Sequence, residues 1–238
     1  GAPDLFITFT ANPKWNQITE NLRRGEQVCD RPDLVARVFK IKLNSLIDDL
    51  TKHGIFGKSI AYVYSIEFQK RGLPHAHILV TLAAEHKFTT AQRINEIVSA
   101  EIPSGESNPR LREIVLRCMM HGPCGPRFPN ATCMTNGKSS KNFPKDFNDI
   151  TSPNVHGYAV YRRRSAEHAE VRGVQLSNRN VVPYNPYLAL KYNAHINVEV
   201  CTSLRAIKYI YKYIFKGFDC ANVDITSNGV PELRYNEI

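Results

Sequence analysis

The sequence has no long apolar run, and its cysteines are few and scattered. None of its hydrophobic stretches approaches the ~20 consecutive apolar residues that a transmembrane helix needs, so we expect no membrane partner. Six cysteines spread over 238 residues do not form the dense framework of a small disulfide-rich protein. Reduced thiols or a metal site are therefore favoured, and we expect a reducing compartment. The hydrophobic fraction of 42% excludes a largely disordered chain.

Acidic residues are also scarce relative to basic ones. The chain has 31 lysines and arginines against 22 aspartates and glutamates, which gives a formal charge of +9. This excess favours a polyanionic partner, with nucleic acid as the first expectation. The length suits one large domain or two small ones. Because the chain starts at Gly1 rather than Met, we expect it to be part of a longer protein.

Hydrophobic periodicity predicts a mixed chain with an antiparallel sheet. Apolar residues alternate with threonine at 5–10, which predicts a strand, and a helix is predicted to begin near Pro32 and end by Gly54. Two β-branched segments, 59–69 and 75–82, predict a hairpin. The other predicted elements are helices within 84–120, an irregular insert at 121–149, a strand pair within 155–177, an extended segment at 181–186, a strand at 195–201 and a helix at 203–217. Because helices follow strands in blocks, the predicted class is α+β, with a central antiparallel sheet flanked by helices.

Two histidines, His75 and His77, lie two residues apart in the second strand of the hairpin. Side chains at this spacing project from the same face of a strand, so both imidazoles can bind one divalent cation. Glu67 and Gln69 share a face of the first strand, and either can complete the site; a carboxylate is the better ligand for Mg²⁺ or Mn²⁺. The alternative is two ordinary histidines without a ligand. Nucleotide hydrolases of the histidine-triad type need a third histidine where this chain has Leu79.

The helix predicted at 203–217 separates two kinds of tyrosine. On a helical wheel, Tyr209 and Tyr213 lie one turn apart and opposite the apolar stripe, which contains Tyr211. Lys212 and Lys216 lie beside the two outward tyrosines. A phenol next to cations and a metal-polarised phosphate can attack a phosphodiester. The competing interpretation is that these aromatic residues only pack or stack.

The irregular insert at 121–149 contains soft metal ligands. His121, Cys124 and Cys133 lie within it, and Cys118 comes just before it. A zinc ion bound by these four side chains would order a segment that has no hydrophobic periodicity. Unpaired loop cysteines are the alternative.

The His-x-His strand and the Tyr-x3-Tyr helix together resemble the HUH endonucleases of rolling-circle replication. The likeness is more specific than that, because long motifs over nearly the whole chain resemble the Rep domain of Helitron transposases. These motifs occupy residues 4–15, 67–77, 121–125, 181–186, 194–199 and 208–213. The resemblance implies a single catalytic domain over residues 1–238, in which an HUH-type sheet presents the two histidines. Within the insert, the resemblance leads us to expect a cysteine where this chain has Ser139.

The resemblance also implies an activity, a metal-dependent endonuclease and strand transferase that acts on single-stranded DNA. His75 and His77 would hold Mg²⁺ or Mn²⁺. Tyr209 and Tyr213 would each form a 5′-phosphotyrosine and release a 3′-hydroxyl. The implied partners are the single-stranded transposon ends and target, and a helicase domain further along the full-length chain. The implied location is the nucleus.

Single-stranded DNA would be held by phosphate contacts and by stacking on aromatic rings. The candidate phosphate contacts are Lys70, Arg71, Arg162, Arg163, Arg164, Lys212 and Lys216, and the candidate stacking residues are Trp15, Tyr184 and Tyr187. Side chains of a strand alternate between its faces, so at most two of the three consecutive arginines serve one surface. Trp15 is equally consistent with a place in the core. His195, Asn197 and Glu199 share a face and either support the histidines or are ordinary satisfied polar groups.

Two other functions are open at this point. A zinc-ordered module that binds single-stranded DNA without cutting it would keep its affinity when His75 and His77 are removed. A nucleotide hydrolase of the histidine-triad kind would turn over small phosphoramidates or dinucleotides.

Overall fold

A four-stranded antiparallel sheet lies at the centre of the protein. The computed structural model describes residues 2–68, 72–125, 128–154, 157–202, 222–227 and 230–236. The helices and strands are β1 (Leu5–Thr10), α1 (Asn16–Thr19), α2 (Pro32–Thr51), β2 (Ser59–Phe68), β3 (Pro74–Leu82), α3 (Ala91–Ile97), α4 (Pro109–Cys118), β4 (Met134–Thr135), β5 (Lys138–Ser139), β6 (His168–Val171), β7 (Val174–Ser177), α5 (Pro186–Tyr192), β8 (Ile196–Val200), β9 (Asn222–Ser227) and β10 (Val230–Asn236). The order of strands in the central sheet is β2-β3-β1-β8. The predicted α+β class, with helices around an antiparallel sheet, is confirmed.

Helix α2 covers one face of this sheet and forms the main core with it. In β1 the side chains of Leu5, Ile7 and Phe9 are fully buried. Phe39 and Leu43 of α2 belong to the same buried cluster. Burial of each such side chain contributes ~1.5–3 kcal/mol to stability. The strict alternation in β1 therefore leaves the even-numbered side chains on the opposite face of the sheet.

A second, smaller core joins α4 to α5 at one side of the sheet. Its buried members are Ile102, Leu111, Ile114, Val115, Met119, Val181, Tyr184 and Ala189. The extended segment predicted at 181–186 runs through this core and makes antiparallel bridges with Ser99 and Met120. This core fixes the ends of α4, where the irregular insert begins.

The insert at 121–149 is irregular, as predicted. Its regular structure consists of the two-residue strands β4 and β5, which pair with each other. Asn136 and Gly137, between these strands, both have positive φ angles of 51° and 76°. Such angles are typical of a tight two-residue hairpin turn, and Asn-Gly is a preferred sequence for it. No helix lies among the described residues of the insert.

The strand pair predicted within 155–177 is present, and it comes after the three arginines. The hairpin β6-β7 lies further along the chain and turns at Arg172 and Gly173, whose φ angles are 53° and 74°. Arg163 makes only an isolated bridge with Asn148. The arginines do not form a turn because Arg163 is 4% exposed and belongs to the interior.

Other elements differ from the sequence-based expectation or lie outside it. Helix α5 was not predicted, and neither was the hairpin β9-β10. The strand predicted at 195–201 is confirmed as β8. The helix predicted at 203–217 lies outside the described residues. Within the described residues, a search for a helix with the length and apolarity to cross a membrane finds none.

Candidate metal centre on the sheet

Five polar side chains of three neighbouring strands share the face of the sheet opposite α2. Residues directly opposite each other in an antiparallel pair project from the same face. His75 of β3 is opposite Thr10 of β1 and Glu67 of β2. His77 is opposite Thr8. We call these five residues the histidine face.

Hydrogen bonds hold both imidazole rings by the same atom. Thr10 Oγ1 lies 2.9 Å from His75 Nδ1, and Thr8 Oγ1 lies 3.3 Å from His77 Nδ1. On the other side of its ring, His77 Nε2 lies 3.5 Å from Glu67 Oε2. Threonine hydroxyls thus contact Nδ1 of both rings. Nε2 of His75 is buried without a hydrogen-bond partner.

Burial keeps both imidazoles in the neutral form that binds metals. It lowers the pKa of His75 to about 4, with further lowering by the nearby imidazoles of His195 and His77. Burial also lowers the pKa of His77, although Glu67 raises it in part. A neutral imidazole with a free Nε2 is the ordinary histidine ligand of a divalent cation. The unpaired Nε2 of His75 beside a carboxylate therefore fits a divalent metal. With Nε2 as the ligand atom, Nδ1 of each ring would be the nitrogen that donates to threonine.

Of the four predicted ligands, three come together. His75, His77 and Glu67 lie on one face as expected from their spacing. Gln69 lies outside the described residues. Thr8 and Thr10 were not singled out from the sequence. The sequence does contain a pattern that indicates them, because Thr8 and Thr10 are two residues apart in β1, as His75 and His77 are in β3.

The same face extends onto β8, where a buried charge network begins. Asn197 is opposite Thr8, and Glu199 is opposite Phe6. Burial raises the pKa of Glu199 to about 7, while a hydrogen bond with Tyr161 and the charge of Arg163 lower it. The carboxyl group is therefore close to its titration point near neutral pH. Of the two interpretations open for Glu199, the one supported by these contacts is a satisfied polar group that joins the sheet to the segment after the insert.

His195, just before β8, is bound from the second core. Its Nδ1 donates to the backbone carbonyl oxygen of Cys118 at 2.8 Å. Burial lowers its pKa. Its imidazole in turn lowers the pKa of His75, which places it next to the histidine face. His195 therefore lies beside the histidine face and is held there by the end of α4.

The insert brings three of its predicted zinc ligands together. One ligand atom from each of His121, Cys124 and Cys133 lies within 4.8 Å of the other two. Cys118 does not belong to this group; it ends α4 and packs against the second core. The expectation that Cys118 supplies the fourth ligand is wrong, because the end of a packed helix fixes its position.

The predicted DNA contacts are only partly at the surface. Trp15 is 3% exposed and donates from Nε1 to the carbonyl oxygen of Tyr192 at 2.8 Å. Tyr184 is 2% exposed and donates to the carbonyl oxygen of Glu101. Both aromatic rings belong to a core, and their predicted role in stacking on DNA is wrong.

The three consecutive arginines divide between the interior and the surface. The guanidinium of Arg163 is buried and donates to carbonyl oxygens of the backbone, so its predicted phosphate contact is also wrong. Arg162 and Arg164 both pair with Glu101, at 3.4 Å and 2.7 Å. The alternation of the three side chains agrees with the limit of two on one surface. Tyr187 is 49% exposed, and its hydroxyl accepts a hydrogen bond from Lys191.

Several predicted site residues lie outside the described residues. They are Lys70, Arg71, Tyr209, Lys212, Tyr213 and Lys216.

One comparison with known proteins finds a relationship. Residues 1–80 match the family described as the Helitron helicase-like domain at the N-terminus. The matched segment contains β1, α2, β2 and the two histidines of β3. This part of the chain is therefore Helitron-related. No curated protein matches the chain.

Proposed function

We propose that the protein is a metal-dependent endonuclease and strand transferase that acts on the single-stranded DNA of a rolling-circle transposon. The observation that carries this proposal is the histidine face, where two neutral imidazoles and a carboxylate meet with His75 Nε2 buried and unpaired. The match of residues 1–80 to a Helitron domain supports a transposon-related role. Single-stranded DNA, comprising transposon ends and target, is the proposed substrate.

The proposed metal ligands are His75, His77 and Glu67, with Mg²⁺ or Mn²⁺ as the metal. Bound there, the cation would polarise the scissile phosphate. The protein's own part is to hold the rings. Thr10 and Thr8 contact Nδ1 of His75 and His77 and would accept a hydrogen bond from it once Nε2 of each ring binds the metal.

The proposed nucleophiles are Tyr209 and Tyr213, by resemblance to the two-tyrosine Rep domains. The phenolic oxygen attacks the phosphorus, a P–O(Tyr) bond forms, and the P–O3′ bond breaks. The phenolic proton ends on the leaving oxygen, so the products are a 5′-phosphotyrosine and a free 3′-hydroxyl. Lys212 and Lys216 would stabilise the phenolate or the charge of the transition state. Strand transfer is the reverse step with a different 3′-hydroxyl.

The wider setting is also a proposal. Lys70, Arg71, Arg162 and Arg164 are proposed to contact phosphates, and Tyr187, whose ring is exposed, to stack on a base. A helicase domain in the same full-length protein and a nuclear location follow from the resemblance.

A covalent-adduct assay tests the proposal. The protein is incubated with a labelled single-stranded oligonucleotide and Mn²⁺, and SDS gels are examined for labelled protein. We expect an adduct that disappears in the double variant Tyr209→Phe/Tyr213→Phe and in His75→Ala/His77→Ala. Tyr211→Phe is the matched control and should keep the adduct, because the sequence predicts this tyrosine in the apolar stripe of its helix.

Two outcomes would contradict parts of the proposal. An adduct that persists in the double Tyr→Phe variant would show that the nucleophiles are misassigned. Tight binding of the oligonucleotide without an adduct at any Mn²⁺ concentration, and unchanged by loss of both histidines, would instead identify a non-catalytic DNA-binding module.

A further inference from the structure

The insert at 121–149 has almost no hydrophobic support of its own. Among its described residues, Ser139 alone is buried. Its only strands are the two-residue pair β4 and β5. A segment of this length without a core needs another source of stability, and in small irregular units that source is commonly a metal ion or a disulfide.

Three ligands for such an ion already lie together. One ligand atom of each of His121, Cys124 and Cys133 lies within 4.8 Å of the others. In a tetrahedral zinc site with Zn–S of ~2.3 Å and Zn–N of ~2.0 Å, neighbouring ligand atoms are ~3.3–3.8 Å apart. Small side-chain movements therefore suffice to bring all three onto one ion. Two thiols and one imidazole are the donor set that zinc prefers.

His121 is held in place and has an unused nitrogen. Its ring stacks on Phe143 with 4.2 Å between the ring centroids and 16° between the planes. Its backbone N–H donates to the carbonyl oxygen of Asn180 at 2.8 Å. The Nε2 atom is buried and has no hydrogen-bond partner. A buried and unsatisfied nitrogen next to two thiols is costly unless something binds there.

Ser139 lies next to this group, because its side chain interacts with Cys124. Its side chain is 8% exposed. Burial and a hydrogen bond with Cys133 raise the pKa of the Cys124 thiol, and a hydrogen bond with Ser139 lowers it. The hydroxyl of Ser139 therefore contacts the cluster directly. A hydroxyl is a weak zinc ligand compared with a thiolate, so the fourth position would be held loosely, by this hydroxyl or by water.

Backbone hydrogen bonds hold the chain together around the cluster. The N–H of Ser140 donates to the carbonyl oxygen of Cys133 at 2.8 Å, and the N–H of Asn142 donates to that of Ser139 at 2.9 Å. These bonds keep Cys133 and Ser139 close to each other without a hydrophobic core.

We propose that His121, Cys124 and Cys133 bind a structural Zn²⁺ ion that holds the insert in its fold. The zinc site stands on the geometry of the insert and does not depend on the proposed function.

Zinc content and affinity test the site without any assay of activity. The purified protein, dialysed against metal-free buffer, is expected to retain one zinc per chain by elemental analysis. The double variant His75→Ala/His77→Ala should retain it as well, whereas Cys133→Ala should lose it. Replacement by Co²⁺ should give the visible absorption that reports thiolate ligation.

Two serine-to-cysteine variants test the site through a gain of zinc affinity, which a variant that fails to fold would not show. Ser139→Cys places a thiolate at the fourth position and should raise zinc affinity by about tenfold or more in competition with a chromophoric chelator. Ser140→Cys is the matched control, because Ser140 is exposed and adjacent in sequence, and it should change the affinity by less than about twofold. Equal affinities for the two variants, or zinc that is lost with the histidines of the sheet instead of with Cys133, would overturn the proposal.

Limited proteolysis tests the structural role. Removal of zinc by a chelator should open cleavage sites within 121–149 while the central sheet remains resistant. Unchanged cleavage on zinc removal would contradict that role. If zinc binds as proposed and no covalent adduct forms in the assay above, the nuclease proposal fails and the zinc site stands. If an adduct forms in a protein that holds no zinc, the zinc proposal fails and the nuclease proposal stands.

Discussion

Two threonines determine how the histidines of the candidate site are oriented. Thr10 and Thr8 lie directly across the ladder from His75 and His77, and each hydroxyl meets an Nδ1 atom. An imidazole that donates from Nδ1 presents Nε2 as its acceptor atom. The threonines are therefore part of the site, although they do not bind the metal themselves.

Removal of one threonine hydroxyl should weaken metal binding without unfolding the sheet. Thr10→Val keeps the shape of the side chain but leaves His75 Nδ1 without its 2.9 Å partner. We expect Mn²⁺ affinity to fall by about 10- to 100-fold, as is usual when the hydrogen bond behind a ligating histidine is lost. Titration followed by electron paramagnetic resonance measures this affinity. Thr10→Ser keeps the hydroxyl and serves as the control; equal losses in both variants would show that packing, rather than the hydrogen bond, is responsible.

At the scale of single elements, the alternation of side chains along the strands is the sequence pattern that predicted most of the candidate site. It placed the two histidines on one face, and the short loop of the hairpin brought Glu67 opposite to them. The approach of Ser139 to Cys124 in the insert could not be predicted, because the insert has no hydrophobic period that fixes its path. In such a segment the positions of side chains follow from long-range contacts alone.

The start of helix α5 has a sequence pattern that also fits an extended segment. Two prolines, at 183 and 186, favour extended structure before them, which is what the sequence predicted. Yet Pro186 is at the first turn of a helix, where proline is well tolerated. Asn185 caps this helix by accepting a hydrogen bond from the N–H of Leu188 at 2.9 Å. The Asn-Pro pair is therefore a helix start here, which the seven-residue length of α5 made hard to detect.

Arg163 connects loops that no regular element joins. Its guanidinium donates to the carbonyl oxygens of Asn178 and Val181, each at 2.6 Å, and to that of Ala100 at 3.4 Å. A buried cation surrounded by carbonyl oxygens replaces the pairing that a strand would provide. This position explains why a run of three arginines does not form one basic surface.

Loss of this buried guanidinium should destabilise the protein strongly. Arg163→Met removes the guanidinium from three buried carbonyl groups, of which, within the described part of the chain, only that of Asn178 keeps another donor, a backbone N–H. We therefore expect the free energy of unfolding to fall by about 3 kcal/mol. Arg164→Met is the control, since the Arg164 side chain is more than half exposed and its partner Glu101 keeps Arg162 at 3.4 Å, so stability should change by about 1 kcal/mol. Urea unfolding followed by circular dichroism gives both values. Similar midpoints for the two variants would show that the carbonyl groups find other partners.

At the scale of the whole molecule, the net charge of +9 is informative only through its distribution. Some cations are paired with acidic groups, as in Lys52–Asp48 at 2.9 Å just after α2 and Lys191–Asp49 at 2.6 Å. Arg162 and Arg164, which we propose as phosphate contacts, share Glu101 as an acidic partner.

Salt dependence of single-stranded DNA binding can locate this charge. Each phosphate contact adds ~0.7 to the slope of log affinity against log salt concentration for single strands, because one contact displaces condensed counterions. We therefore expect Arg164→Gln, which removes a proposed phosphate contact, to reduce the slope by ~0.7 and to weaken binding most at low salt. Lys52→Gln removes an equal charge just after α2 and should leave the slope unchanged. Fluorescence anisotropy with a labelled oligonucleotide over a range of salt concentrations measures both. Equal slopes for the two variants would mean that net charge attracts the DNA without a contact from Arg164, and the DNA would then have to be sought elsewhere on the surface.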